Sequence, residues 1–192
     1  MRRSSADRRD SYYSLDLAAC RDRLGEAGGA LHPGLRMAPP ALDPGQGIDR
    51  PVRVLFLCTG NSSRSQIAEA ILEQLGGARV QAVSAGSHPR TLHPDAVRVL
   101  RDRGIDIRGR PTKHLSEFVE QRFDHVISLC DRVREVCPDF PGPTTVAHWS
   151  MPDPAAQTSA GEGEQDAFVR TANELTTRIE FFLYAIEHAP TT

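Results

Sequence analysis

The chain has 192 residues and a formal net charge of −2, so no global charge draws it to nucleic acid or to an anionic membrane. No apolar run approaches the length of a membrane span, and the N-terminus lacks the apolar stretch of a signal peptide. Four scattered cysteines (Cys20, Cys58, Cys130, Cys137) do not make a secreted disulfide framework, which points to a reducing, cytoplasmic compartment and to catalytic, redox or metal-binding roles.

In chain order, residues 2–14 read as two short strands around a charged turn, followed by a short helix over residues 17–24. Such a piece cannot bury a core, so residues 1–50 are expected to be poorly ordered. Six Gly and five Pro over residues 25–51 mark a linker. Beyond it strand-like and helix-like patterns alternate. Residues 52–57 form an apolar strand and residues 66–75 a helix ending at Gly76-Gly77. A second strand covers residues 79–84, and a helix over residues 94–103 stops at Gly104. Residues 125–129 and 144–149 give the third and fourth strands. A final helix places Phe168, Ala172, Leu175, Ile179, Phe182 and Ile186 on one face. The pattern predicts an α/β fold with a four-stranded parallel sheet and helices on both faces. The domain limits are 1–24, 25–51 and 52–188.

The densest chemical signal is the run Cys58-Thr59-Gly60-Asn61-Ser62-Ser63-Arg64-Ser65 between the first strand and its helix. Ligands in parallel α/β sheets bind at the carboxyl ends of strands, where Cys58 sits. Backbone N–H groups of Thr59 to Ser65 and the helix N-terminus favour an anion there, and Arg64 offers a planar fork for two of its oxygens. The same field stabilises a Cys58 thiolate, making it a nucleophile that faces the anion.

A second cluster is Cys130 and Cys137, seven residues apart in Leu-Cys-Asp-Arg-Val-Arg-Glu-Val-Cys-Pro. On a continuous helix they would stand about 10.5 Å apart along the axis. A disulfide needs Cα atoms within about 7 Å, so the pair closes only if the segment unwinds. Pro138 and Pro141 block helix continuation and ease melting from that end. The pair reads as a resolving relay for Cys58; buried structural thiols are the plain alternative. Zinc fits less well, because neither a Cys-x-x-Cys nor His partners at ligand spacing are present. Cys20 has no partner pattern. Asp153, on a rigid Asp-Pro loop past the fourth strand, is the best candidate for an acid that protonates a leaving oxygen.

Residues 52–188 resemble the low-molecular-weight protein tyrosine phosphatase superfamily, and within it the thioredoxin-coupled arsenate reductases. Cys58-x5-Arg64-Ser65 and Asp153-Pro154 match both branches. Gln66-Ile67-Ala68-Glu69 after Ser65, the Leu129-Cys130-x6-Cys137-Pro138 pair and His148-Trp149 before Asp153 match the reductase branch. Ala155-Ala156 stand where tyrosine phosphatases tend to carry a Tyr pair. The resemblance implies that Cys58 attacks arsenate held by the loop and Arg64, with Asp153 as acid. Cys130 then attacks Cys58, Cys137 attacks Cys130, and thioredoxin reduces the resulting disulfide. It implies no organic cofactor. Reductases of this type often hold potassium, for which Asn61, Glu69, Ser84 and Thr112 match oxygen ligands. His114 stands in place of an expected aspartate, so Asn61 is read as a brace for the loop and no metal is assigned. Residues 1–24 are similar to the wing and last helix of an ArsR-type winged-helix repressor without its recognition helix, as in a piece of a repressor–enzyme fusion, with a solvated basic tail as the plain alternative; nucleic acid is not an expected partner. A phosphatase acting on phosphate esters, a fragment of an arsenic-responsive DNA-binding regulator and a thiol redox sensor are the competing readings.

Overall fold

The computed structural model describes residues 2–7, 10–14, 20, 23, 50–156 and 164–187. Strands β1 (Arg2–Asp7) and β2 (Asp10–Ser14) pair antiparallel, with Arg2 opposite Ser14. That is the strand pair expected around the charged turn. Cys20 and Arg23 are helical; the rest of the helix expected over 17–24, nearly all of the linker, and with them the expectation of poor order there lie outside the described residues.

The remaining elements are β3 (Val52–Cys58), α1 (Arg64–Gly76), β4 (Val80–Gly86), α2 (Pro94–Arg101), β5 (His125–Ser128), α3 (Asp131–Glu135), β6 (Thr145–His148) and α4 (Glu164–Glu187). The four strands β3 to β6 form one all-parallel sheet in the order β4-β3-β5-β6. Successive side chains of a strand point to opposite faces, and Val54, Leu55, Phe56 and Leu57 are all fully buried. Both faces of β3 are therefore covered, which is why its sequence is a continuous apolar run rather than an alternating one. Cys58 ends this central strand, at the best-supported point of the sheet.

Helix α1 is buried from Arg64 to Leu72 and stops where Gly77 takes a positive φ of 54°. Helix α4 packs along α1 and α2. Its buried stripe is Phe168, Ala172, Leu175, Ile179 and Leu183, each contributing on the order of 2 kcal/mol for the larger side chains. The expected stripe ran through Phe182 and Ile186; a 3.6-residue period carries it to Leu183 instead and leaves those two half-buried. Helix α3 has only five residues, with Val133 its one fully buried anchor. No described helix is long and apolar enough to cross a membrane.

Candidate active site

The loop between β3 and α1 is held from outside by the chain that follows β4. The carbonyls of Thr59, Gly60 and Ser62 accept hydrogen bonds from the main-chain N–H of His88, Arg90 and His93 at 2.8, 2.9 and 2.9 Å. Among the described residues, the N–H groups of residues 60–65 donate no main-chain bond in return, so they remain available to a ligand. The loop turns at Asn61, the one described non-glycine residue with positive φ, at 45°. Gly86 lets β4 press against it: a Cβ there would lie 2.7 Å from the Thr59 carbonyl oxygen and 2.8 Å from the Asn61 nitrogen.

The fully buried Asn61 side chain braces this turn. Its Nδ2 donates to Ser65 Oγ and Ser84 Oγ at 2.9 and 2.8 Å, and its Oδ1 accepts from Gln66 Nε2 and Lys113 N at 3.2 and 2.7 Å. Ser84 Oγ in turn donates to Glu69 Oε2. This is the bracing expected of Asn61.

Cys58 Sγ lies 3.0 Å from Ser65 Oγ, the first turn of α1. Arg64 is buried; its Nη1 donates to the Met151 carbonyl at 2.8 Å and its Nη2 pairs with Asp153 Oδ2 at 3.4 Å. Its Nε is buried without an acceptor. Asp153 is half exposed beside that guanidinium. Cys130 ends the β5 loop, with Sγ 3.2 Å from Thr59 Oγ1, at the rim of the same cradle. Cys137 is half-buried beyond α3, its thiol near the Pro138 carbonyl at 3.7 Å. Burial, with the Asp139 carboxylate adding to it, pushes the Cys137 thiol above its ordinary range. Cys58, the loop, Arg64, Asp153 and Cys130 thus meet at one end of the sheet, and Cys137 stands one short helix away.

The potassium suggestion is answered by a residue that the sequence did not point to. Lys113 Nζ lies 3.0 and 3.1 Å from the two carboxylate oxygens of the buried Glu69, and Arg110 stands 3.8 Å from it. The ammonium already occupies the carboxylate that a cation would need, Asn61 Oδ1 accepts from Gln66 and the Lys113 N–H, and Ser84 Oγ lies between the Asn61 amide and Glu69. His114 caps the short turn Leu115–Glu117 and contacts the Ser87 carbonyl. Among the described residues no cluster of His, Cys, Asp and Glu could hold a metal ion. The residues present do not fit a bound potassium ion.

Lys113, Gly86 and the Met151 carbonyl were missed because each acts across a long stretch of sequence. Gly86 alone left a trace, as the glycine ending an apolar strand.

The low molecular weight phosphotyrosine protein phosphatase family matches residues 53–189, and the chain belongs to it. The arsenate reductase of Halalkalibacterium halodurans is 34% identical over 129 residues, covering 67% of this chain and 93% of that protein. A solved arsenate reductase in its oxidized state superposes with a TM-score of 0.61 at 28% identity, over 70% of this chain and 98% of that one. A thioredoxin-dependent arsenate reductase from Corynebacterium glutamicum superposes with a TM-score of 0.56 at 25% identity, over 88% of this chain and 70% of that one.

Proposed function

We propose that this protein reduces arsenate to arsenite in the cytosol, with Cys58, Cys130 and Cys137 as a relay that thioredoxin recharges. The observation that carries the reading is Cys130 at the rim of the Cys58 cradle, joined to Cys137 by a five-residue helix. A phosphatase uses water as its second nucleophile and needs neither cysteine.

The anion binds to the loop amides and to Arg64, whose unpaired Nε–H is left for an anion oxygen. Cys58 thiolate attacks arsenic, an S–As bond forms, and an oxygen leaves as water after protonation from Asp153. Cys130 thiolate then attacks Cys58 Sγ. An S–S bond forms, the S–As bond breaks, and its electron pair stays on arsenic, which leaves as arsenite in the +3 state. Cys137 thiolate attacks Cys130 Sγ and releases Cys58 as thiolate. The dithiol of thioredoxin reduces the Cys130–Cys137 disulfide and becomes a disulfide itself. Three working thiols need a reducing compartment, which supports the cytosolic assignment.

The test is arsenate-dependent NADPH oxidation with thioredoxin and thioredoxin reductase, with Cys137→Ser alongside. The parent should turn over repeatedly and the variant stop after one event. No arsenate turnover by protein that still hydrolyses an aryl phosphate would make it a phosphatase.

For the N-terminal piece we propose a wing-like unit, residues 1–24, set apart from the 52–188 domain by the 25–51 linker. The antiparallel pairing of β1 and β2 supports it. This strand pair by itself is expected to show no salt-dependent binding to duplex DNA.

A further inference from the structure

Resting on the reductase reading, we propose that His148 is a positioning residue for the second chemical step: through Asp131 it holds Cys130 at the cradle while the Cys137 end of the segment comes free. His148 ends β6. Its Nε2 lies 2.8 Å from Asp131 Oδ1, and its Nδ1 lies 2.7 Å from the buried Ser128 Oγ at the end of β5. Ser150 Oγ donates to the same Asp131 oxygen at 3.1 Å. Asp131 is the residue after Cys130 and opens α3. One imidazole therefore ties three separate segments together at the residue that follows Cys130. Nε2 donates to the Asp131 carboxylate and Nδ1 rests against Ser128 Oγ, so both ring nitrogens are held and the orientation of the imidazole is fixed.

Nothing comparable holds the other end of the segment. The last bonds of α3, from Val136 and Cys137 N–H, are 3.3 and 3.4 Å long, against 2.8–2.9 Å for the bonds that pin the anion loop. Arg132, Arg134, Glu135 and Val136 are all exposed. An unwinding α3 should therefore peel from Cys137 toward a Cys130 that stays in place. Cys130 must remain aimed at Cys58 for the first disulfide, and Cys137 must then travel to Cys130; the clasp separates these two demands.

The side chain of His148 can be removed without disturbing the acid loop, which is held by its main chain. Trp149 N–H reaches the Ser128 carbonyl, Met151 N–H reaches the Leu129 carbonyl, and Arg64 holds the Met151 carbonyl. Aryl phosphate hydrolysis uses Cys58, Arg64 and Asp153 alone, so it serves as the control for an intact cradle.

The experiment compares His148→Ala, His148→Gln and Asp131→Ala with the parent in two assays: aryl phosphate hydrolysis, and single-turnover release of arsenite from reduced enzyme without thioredoxin. For His148→Ala the expected result is phosphate hydrolysis within twofold of the parent, unchanged KM for arsenate, and arsenite release slowed about ten- to a hundredfold, the scale of a misplaced reacting group. His148→Gln, which keeps a donor for Asp131, should recover most of that loss. Asp131→Ala, which removes the acceptor, should slow release by itself and give no further loss when combined with His148→Ala; it also tests the clasp if His148→Ala fails to fold. Unchanged arsenite release in His148→Ala, or equal loss of both activities, would overturn the clasp while leaving the reductase reading intact. No arsenite release from the parent would overturn the reductase reading and the clasp with it.

Discussion

Replacing Asn61 by alanine removes the brace at the centre of the anion loop, and the cost can be built from its four bonds. The Lys113 N–H loses its acceptor at a part-buried position, which costs about 1–2 kcal/mol. Ser65 and Ser84 each lose a donor but keep other partners, at about 0.5–1 kcal/mol apiece. Gln66 retains its bond to the Pro111 carbonyl and adds little. Alanine must also hold the positive φ of 45° that Asn tolerates, a further cost of about 1 kcal/mol. The sum is about 3–5 kcal/mol, or a drop in Tm of roughly 8–18 °C for a domain of this size. Equilibrium urea unfolding of the parent, Asn61→Ala and Asn61→Gly gives the comparison. Glycine should recover only the backbone part, about 1 kcal/mol, and leave the lost bonds. A shift below about 1 kcal/mol for Asn61→Ala would show that the network does not hold the loop.

Two further outcomes follow from the same geometry. Lys113→Met leaves the buried Glu69 carboxylate with only the more distant Arg110 as counter-charge and should destabilise the fold by about 2–4 kcal/mol, whereas Lys113→Met with Glu69→Gln should recover most of it; a double variant as unstable as the single one would contradict the pairing. The half-buried His125, edge-on to Phe182, has its imidazole pKa lowered by burial, the nearby Asp124 acting in the opposite sense. A depressed pKa means that the unfolded chain binds the proton more readily, so the stability His125 contributes is complete above about pH 6.5 and falls as pH drops toward its folded-state value. Thermal unfolding between pH 7 and 5 should show this decline in the parent and a flatter profile in His125→Gln.

What could be read from the sequence was local. Cys58 to Ser65 is one contiguous run between a strand and a helix, so its geometry followed from the flanking patterns alone, and Asp153 was marked by its proline. The sheet was legible because an apolar run such as Val54–Leu57 admits few placements. Other features depended on distance. The Arg64 guanidinium is held by a carbonyl 87 residues away, and Lys113 meets Glu69 across 44 residues, with no pattern to announce either. The extent of α3 was also hidden. Spacing alone raised the possibility of a continuous helix from Cys130 to Cys137, yet the helix stops at Glu135 because only Val133 anchors it to the core.

That short helix gives the site its division of labour. Electrostatic stabilisation of an anion works only when the donors are fixed before the reaction, and the loop from Thr59 to Ser65 is fixed by main-chain bonds outside, the Asn61 brace within and the central strand below. The proposed relay of thiols makes the opposite demand, because in it Cys130 and Cys137 change partners during each cycle. The fold meets both by placing them on neighbouring strands: Cys58 leaves β3, covered on both faces, while Cys130 leaves β5 into five helical residues with one buried anchor and long terminal bonds. Low local stability there is a requirement of the chemistry, since opening a segment costs its local rather than its global free energy. Burial also raises the pKa of the Cys137 thiol while α3 is folded, so it rests as the thiol and gains nucleophilic character as unwinding exposes it. In the proposed mechanism Cys137 is thereby kept from reacting before the segment that carries it has moved.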